Sequence, residues 1–568
     1  MPPRFPALLL LTFTTALSAA EIGGTFPWHT LQAEEAATNA ERLKPSRRAG
    51  DFAAECVGKS GVRLNRTGDY VEFTAPAAAN SIVVRYAIPD APRGGGEEHT
   101  LSGYVDGKHR FDLKLTSRHT WLYGKEHDPV NDPEELKRIP GSVARRFFDE
   151  ARLLTGPIPA GAKVRLQKDA GDTARYYVID LIDLEAVPPP LPQPENSLSV
   201  KEYGAIGDGV FDDSDAIGRC LKAAAKQKKA VYLPPGVYRT SRRFLVDEIE
   251  IQGAGMWYST ILNRRDDLAE KSNGVGFQVD GRSTLRDFAI HGDGTRRGEE
   301  SHPLRGNWGR GSRVENLWIE QAECGIWVGR DNQPSPERLL VRNCRFRNLL
   351  ADGINLCAGT RDSIVENCHA RGTGDDSFAI WAAPKGEPTA GGNIIRDCTA
   401  EAPWRARCFA IFGGRNNRVE NCVGRDTLTS GGLTATTEFD ALPLGGTTVF
   451  RNIRLERCGG WFWGGLPYGT IVLRAEKRDY CGEVLFENIT AIDNVNSGIT
   501  VIWGEKNVQK ITFRNVVFDG LGRCGVEIFR DSRGEIKLEN VRFLNNAGPL
   551  EINASAETFR ITGLPEKP

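Results

Sequence analysis

Val341-Arg342-Asn343-Cys344 is followed 24 residues later (367 − 343) by Val365-Glu366-Asn367-Cys368. The same phrase, apolar–polar–Asn/Asp–Cys/apolar, recurs through the later part of the chain. Before it come Leu285-Arg286-Asp287-Phe288 and Val314-Glu315-Asn316-Leu317. After it come Ile395-Arg396-Asp397-Cys398, Val419-Glu420-Asn421-Cys422, Leu455-Glu456-Arg457-Cys458, Phe486-Glu487-Asn488-Ile489, Phe513-Arg514-Asn515-Val516 and Leu538-Glu539-Asn540-Val541. Successive third positions are separated by 24 (367 − 343) to 36 (457 − 421) residues. A period of this size, made of short apolar runs with variable insertions, marks a stacked solenoid. The runs are too short and too far apart for hairpins, so each coil is expected to pair in parallel with the next. The recurrent Asn or Asp suits a turn, where its side chain ladders with the coils above and below. Leucine-rich repeats need a Leu spacing that is missing here.

Working outward, the repeat is preceded by an entry segment. Val200-Lys201-Glu202-Tyr203-Gly204-Ala205-Ile206-Gly207-Asp208-Gly209 leads to Asp212-Asp213-Ser214-Asp215. Ser214 or Asp215 is expected to cap a helix from Ala216 to Lys226. The buried strand Ala230-Val231-Tyr232-Leu233 and the turn Pro234-Pro235-Gly236 follow. A proline-rich stretch over 188–196 reads as a stiff linker. It separates residues 21–187 from 197–568. The front part carries alternating runs such as Tyr70-Val71-Glu72-Phe73 and Ser81-Ile82-Val83-Val84-Arg85-Tyr86, with turns between them. A β-sandwich of jelly-roll type is expected there. Tyr177-Val178-Ile179-Asp180-Leu181-Ile182-Asp183-Leu184 alternates less cleanly. The fold class is therefore all-β: a parallel β-helix preceded by a β-sandwich.

Residues 1–20 read as a secretion signal. Arg4 gives a positive start, Ala7 to Leu17 an apolar stretch, and Ser18-Ala19-Ala20 a small-residue cleavage point. The mature protein is expected to be secreted, extracellular or periplasmic, and monomeric. No later apolar run reaches the ~20 residues of a membrane span. Lys+Arg number 73 and Asp+Glu 74. That balance gives no electrostatic reason to bind nucleic acid or an anionic membrane. None of the 12 cysteines shows a Cys-x-x-Cys zinc spacing. Export would permit disulfides, but several cysteines occupy the repeat, where a buried thiol fits equally well.

Aligning the coils exposes a column of chemistry. Asp352 lies nine residues after Asn343 (352 − 343) and Asp376 nine after Asn367 (376 − 367). Parallel strands stack ~4.8 Å apart, so the two carboxyls are expected one above the other. Asp352-Gly-Ile-Asn-Leu, Asp376-Ser-Phe-Ala-Ile and Arg407-Cys-Phe-Ala-Ile place Arg407 on the next step. Asp375 adjoins Asp376, and Gly372 and Gly374 suggest a bend that lets both face outward. Clustered carboxyls repel, so one is expected to keep a proton near neutral pH while others ionise. Glycosidic cleavage needs that division: an acid for the leaving oxygen and a base for water. Turn aspartates and a calcium site are the plainer alternatives. Trp327, Trp381, Trp404 and Phe412, with Trp461, Trp463 and Trp503 further on, are candidates to stack on sugar rings, although aromatic residues also serve as ordinary packing. Arg407 is a candidate to hold a substrate hydroxyl, to stabilise ionised aspartates or to form a purely structural ion pair, and Asn355 is a candidate to bind substrate. Turn exposure accounts for His369.

The run Val200 to Asp215, with Val231 to Tyr238, resembles the entry coil of the pectate-lyase-like right-handed β-helix superfamily. Ala351-Asp352-Gly353-Ile354-Asn355 and Gly372-Thr373-Gly374-Asp375-Asp376-Ser377-Phe378-Ala379-Ile380-Trp381 resemble glycoside hydrolase family 87, which includes α-1,3-glucanases and mycodextranases. The resemblance implies a sandwich-plus-helix catalytic unit, an α-glucan substrate and inversion of configuration. It also implies Asp352, Asp375 and Asp376 as the catalytic trio. By analogy with related β-helix hydrolases, Asp375 is the acid, and Asp352 and Asp376 handle water. No cofactor is implied for catalysis. Leu31-Gln32-Ala33-Glu34-Glu35 resembles the start of carbohydrate-binding modules of families 6 and 35, which places a structural calcium on Glu34 and Asp180. Trp121-Leu122-Tyr123-Gly124 reads either as a sugar platform or as packing against the β-helix. Two other functions stay open at this level: a pectin or polyuronide hydrolase or lyase, and a non-catalytic polysaccharide-binding solenoid. The Gly-His-Gly and Arg-Ile-Lys signatures of polygalacturonases are missing.

Overall fold

The computed structural model describes residues 22–565, except 126–128, 139–140, 264–274, 299–300, 330–334, 385–389 and 463–464. The secretion signal expected over 1–20 and Trp463 lie outside the described residues.

The later part is a right-handed parallel β-helix. One face is a sheet of twelve parallel strands, from Arg243–Val246 through Ile354–Cys357, Phe378–Trp381 and Phe409–Phe412 to Glu551–Asn553. The other strands form a larger sheet that carries the repeat phrase. The Asn/Asp of each phrase turns the chain with a left-handed backbone, φ +63° at Asp287 and +50° to +55° at Asn316, Asn343, Asn367, Asp397 and Asn421. Asn and Asp tolerate that region better than other side-chain-bearing residues. Their amides ladder between coils: Asn343 Nδ2 donates to Asn316 Oδ1 (3.2 Å) and Asn367 Nδ2 to Asn343 Oδ1 (2.8 Å). The ladder corrects one phrase. Asn452 Nδ2 donates to Asn421 Oδ1 and Asn488 Nδ2 to Asn452 Oδ1. Phe450-Arg451-Asn452-Ile453, not Leu455-Glu456-Arg457-Cys458, is thus the repeat unit there. Its polar residues are Arg and Asn like the others, but Cys458 five positions on offered a closer match to the Cys-ended phrases.

Inside, stacking is rung on rung. Phe378 and Phe409 lie 5.4 Å apart at 10°, and Phe486 and Phe513 4.7 Å apart at 7°. Cys344, Cys368, Cys398 and Cys422 are buried and unpaired, filling a column as small apolar groups. The helix Ser214–Gln227 covers the open start of this core with Ile217, Cys220, Leu221 and Ala224. Its N-cap position is Asp213 rather than Ser214 or Asp215. The Asp213 carboxylate faces away from the helix and accepts from Ile206 N and Gly207 N.

The front part is a sandwich of two antiparallel sheets. Between them pack Val71, Phe73, Leu101, Val164 and Leu166 from one sheet and Ile82, Val84, Ile179 and Ile182 from the other. The strand Tyr177–Glu185 is buried at every position. One of its faces looks into the sandwich, while Asp183 and Glu185 meet Arg371 and Arg345 of the β-helix. Burial on both faces is why its sequence fails to alternate. Arg371, wholly buried, joins Glu150 (2.6 Å) and Asp183 (2.5 Å) of the sandwich to Glu401 (3.4 Å) of the next coil. His369 is not at an exposed turn. It is 3 % exposed, within 3.3 Å of Glu401, and ringed by Phe26 and Trp28. Burial lowers its imidazole to about 4. Leu122 packs on Leu350, Trp404 and Leu428 of the β-helix, and the Trp121 indole donates to Ile88 O. That segment is docking structure, not a sugar platform.

Candidate active site

Strand register sets the site. Ile354 pairs with Phe378 and Phe378 with Phe409. Two residues ahead of each, Asp352, Asp376 and Arg407 therefore form one column. Asp375 joins them because the chain has not yet entered its strand. Gly372 takes φ +73°, and Thr373 Oγ1 donates to Asp375 O (3.1 Å). Thr373 and Ser377 hydroxyls share a 2.8 Å hydrogen bond across the turn. Gly374 is pinched between coils: a Cβ there would lie 2.2 Å from both Leu350 O of the previous coil and the Trp404 ring of the next. Both adjacent carboxylates consequently face one groove. One oxygen from each of Asp352, Asp375 and Asp376 lies within 4.8 Å of the others.

Three charges at that spacing cannot all persist. At 4.8 Å each pair costs about 3.5 kcal/mol at an effective dielectric near 20, about two and a half pKa units. The surroundings decide which group yields. Burial, then Asp375 and Asp376, push Asp352 well above the usual carboxylate range. Burial raises Asp376 to about 7, against the pull of Arg407 and with a further push from Asp375. Burial also opposes ionisation of Asp375, but Arg297 and Arg405 outweigh it and hold that carboxyl below the usual range. Arg297 Nη2 and Arg405 Nη1 donate to the same oxygen, Asp375 Oδ2, at 2.5 and 2.7 Å. Asp376 Oδ1 accepts from Arg407 N (3.1 Å), and Asp352 Oδ2 from Asn355 Nδ2 (3.4 Å). The site thus holds ionised and proton-bearing carboxyls together near neutral pH, which is the pairing acid–base hydrolysis requires.

A cavity of about 370 Å³ runs from Asp375 and the Arg405–Arg407 segment towards later coils, over Phe439, Tyr468 and Trp503. Trp503 is 40 % and Phe439 62 % exposed. On the other side, Trp327 pairs in register with Asn355 and stacks on His302 at 5.3 Å. Trp381 meets Trp327 edge-on at 6.2 Å. Both tryptophans are half-buried. Phe412 is buried beside Trp381. Trp461 is 56 % exposed on a short hairpin. Trp404 is a correction: it is 3 % exposed, donates its indole N–H to Leu349 O (3.1 Å), and wedges behind the Asp375–Asp376 turn. It shapes the site from below and offers no face to a sugar.

Arg297, Arg405 and Glu438 escaped the sequence reading. Arg405 stands two residues before Arg407, a spacing that puts both on one side of an extended segment. Arg297 sits in a loop outside the repeat, and nothing in its local sequence marks it. Glu438 accepts from Arg407 Nη2 (3.3 Å) and Arg474 Nη1 (2.6 Å).

The two acidic clusters differ as cation sites. The trio's donors face three guanidiniums, so a divalent metal there would meet positive charge already in place. At the domain boundary, Glu34 Oε2 and Asp180 Oδ1 are buried without hydrogen-bond partners. Burial raises Glu34 to about 7. Yet Asp180 Oδ2 is engaged by Arg85 and by Val57 N (3.3 Å). Among the described residues no third acidic oxygen closes on this pair. Calcium takes 6–8 oxygen ligands, so an ion held by Glu34 and Asp180 would draw the rest of its shell from backbone, amide or water oxygens.

A parallel β-helix whose groove holds a carboxyl trio among guanidiniums and aromatic rims defines a class, the β-helical glycoside hydrolases. The comparisons narrow it. Residues 25–187 match the model of the α-1,3-glucanase catalytic domain D1, and residues 212–561 that of domain D2. The fold is similar to the catalytic unit of the thermostable GH87 α-1,3-glucanase from Streptomyces thermodiastaticus strain HF3-3, at 27% identity and TM-score 0.83, covering 95% of this chain and 96% of that one. It is also similar to a GH87 α-1,3-glucanase catalytic-domain variant in complex with tetrasaccharides, at 28% identity and TM-score 0.83, covering 96% and 99%. Mannuronan C5-epimerase AlgE6 of Azotobacter vinelandii is 37% identical over 108 residues, 17% of this chain; the chain spans only 12% of that curated relative's length. The chain belongs to the GH87 α-1,3-glucanase family.

Proposed function

We propose that this protein is exported by way of residues 1–20 and hydrolyses α-1,3-linked glucan, alone or mixed with α-1,4 linkages. The observation that carries the reading is the convergence of Asp352, Asp375 and Asp376 within 4.8 Å in a chain of this family. Similar catalytic domains have been solved with nigerose and with tetrasaccharides. In the reaction, water adds to the anomeric carbon and the glycosidic C–O bond breaks. The leaving oxygen takes a proton from one carboxyl while another removes a proton from water.

Asp375 serves as the acid, and Asp352 with Asp376 handle water. Asp375 begins the cycle ionised, so it first needs a proton. Its neighbours carry protons within reach, and three coupled carboxyls titrate as one cluster. Moving a proton from Asp376 to Asp375 charges the base as it loads the acid.

Inversion belongs to the same proposal, with Asp352 and Asp376 holding water between successive coils. Inverting enzymes usually separate acid and base by ~6.5–9.5 Å, and this cluster is tighter. Proton NMR of the first product from an α-linked oligosaccharide is expected to show the β-anomer before mutarotation; α-anomer first would establish retention.

The substrate is tested by measuring reducing ends released from α-1,3-glucan, nigeran, dextran, starch and polygalacturonate. Release from the first two supports the proposal, and release only from polygalacturonate overturns it. A polyuronide reading draws little from the groove's arginines, because Arg405, Arg407 and Arg474 are each paired with carboxylates of the protein.

A further inference from the structure

We infer that Arg297 and Arg405 form a clamp that positions Asp375 and fixes its charge in the resting site, and that the front sandwich holds one jaw of it. Both guanidiniums donate to Asp375 Oδ2. The jaws come from opposite directions. Arg405 is 5 % exposed on the coil above, its carbonyl fixed by the Thr429 hydroxyl at 2.6 Å. Arg297 lies on a loop whose guanidinium also donates to Leu350 O (3.1 Å) and Gly374 O (3.0 Å), so it grips the turn as well as the carboxylate.

That loop rests on the sandwich. Arg297 N donates to Pro129 O at 3.4 Å, and Val130 bridges to Arg296. Arg118 donates to both oxygens of Asp293, at 3.1 and 3.3 Å, and His119 lies on Gly294 O at 3.2 Å. The sandwich therefore reaches the acid through Arg297. Two fixed cations on one oxygen favour the ionised form and restrict the carboxyl's rotation. Burial works the other way and gains weight once a jaw is removed.

This inference rests on the hydrolase reading, but one of its tests needs no substrate. Thermal unfolding of wild type, Arg297→Gln and Arg405→Gln is followed from pH 5 to 8. Without a jaw, Asp375 is expected to bind its proton above the usual range. Each variant then loses stability as pH rises through that raised value, and its gap in Tm below wild type widens. In an Asp375→Asn background the same substitutions are expected to leave a gap that does not change with pH. A pH-independent gap in both backgrounds would reduce the arginines to packing and overturn the clamp. The second test is the pH profile of kcat/KM on α-1,3-glucan. The limb that reports Asp375 is expected to move to higher pH in the Gln variants and largely return in Arg297→Lys and Arg405→Lys. Lower activity with both limbs unmoved would contradict the clamp. Wild-type inactivity on α-1,3-glucan would defeat the substrate reading while leaving the unfolding test to decide the clamp.

Discussion

Asp376→Asn is expected to lower turnover of α-1,3-glucan by at least ~100-fold while leaving the fold intact. Asn keeps an oxygen to accept from Arg407 N, as Asp376 Oδ1 does at 3.1 Å, so the turn retains its anchor. What disappears is a carboxyl that titrates at about 7 beside two others. Asp352→Asn and Asp375→Asn should cost as much, because the cluster's protons are shared. Stability should move the other way. The raised value of Asp376 means that the folded state binds its proton more tightly than the unfolded chain does. Wild type thus loses stability as pH rises from the ordinary carboxylate range through about 7. Asn carries no such penalty, so calorimetry should show Tm above wild type at pH 8 and little difference near pH 4. If the protein only bound polysaccharide, the substitution would leave its function in place.

Arg371→Met is expected to destabilise the protein by about 3–5 kcal/mol, the usual cost of stripping one partner from a buried ion cluster. Glu150, Asp183 and Glu401 would be left facing each other with one cation fewer. Arg347, 3.2 Å from Glu150, compensates for one of them only in part. Because the cluster spans both domains, denaturant unfolding should show the sandwich and the β-helix separating into two transitions. Adding Glu150→Gln to Arg371→Met should recover part of the loss. A change below 1 kcal/mol would mean that the cluster is solvated and that apolar contacts hold the domains together.

The β-helix was legible because its phrase carries the left-handed Asn and a core residue at a fixed interval, and Asp352 and Asp376 inherit their alignment from that interval. The convergence of Asp375 was legible from Gly372 and Gly374, although only the structure shows Trp404 behind them as the reason for the tight turn. Trp404 itself was misread because burial of an aromatic residue beside a site cannot be told from exposure by spacing alone. Arg297 was invisible for a different reason. It acts through tertiary docking of a loop that belongs to no repeat, braced by Arg118 and Val130 from a distant part of the chain. Tyr177–Glu185 looked irregular because pattern reading assumes one wet face, and this strand has none.

The most direct test of the central claim is a crystal structure of Asp376→Asn soaked with an α-1,3-linked glucose oligosaccharide. The account predicts a glycosidic oxygen within hydrogen-bond reach of Asp375, about 2.6–3.2 Å, with the sugar chain crossing the coils past Trp327 on one side and Trp503 on the other. An oligosaccharide seated elsewhere on the protein, with Asp352 and Asp375 out of reach of any glycosidic bond, would contradict it.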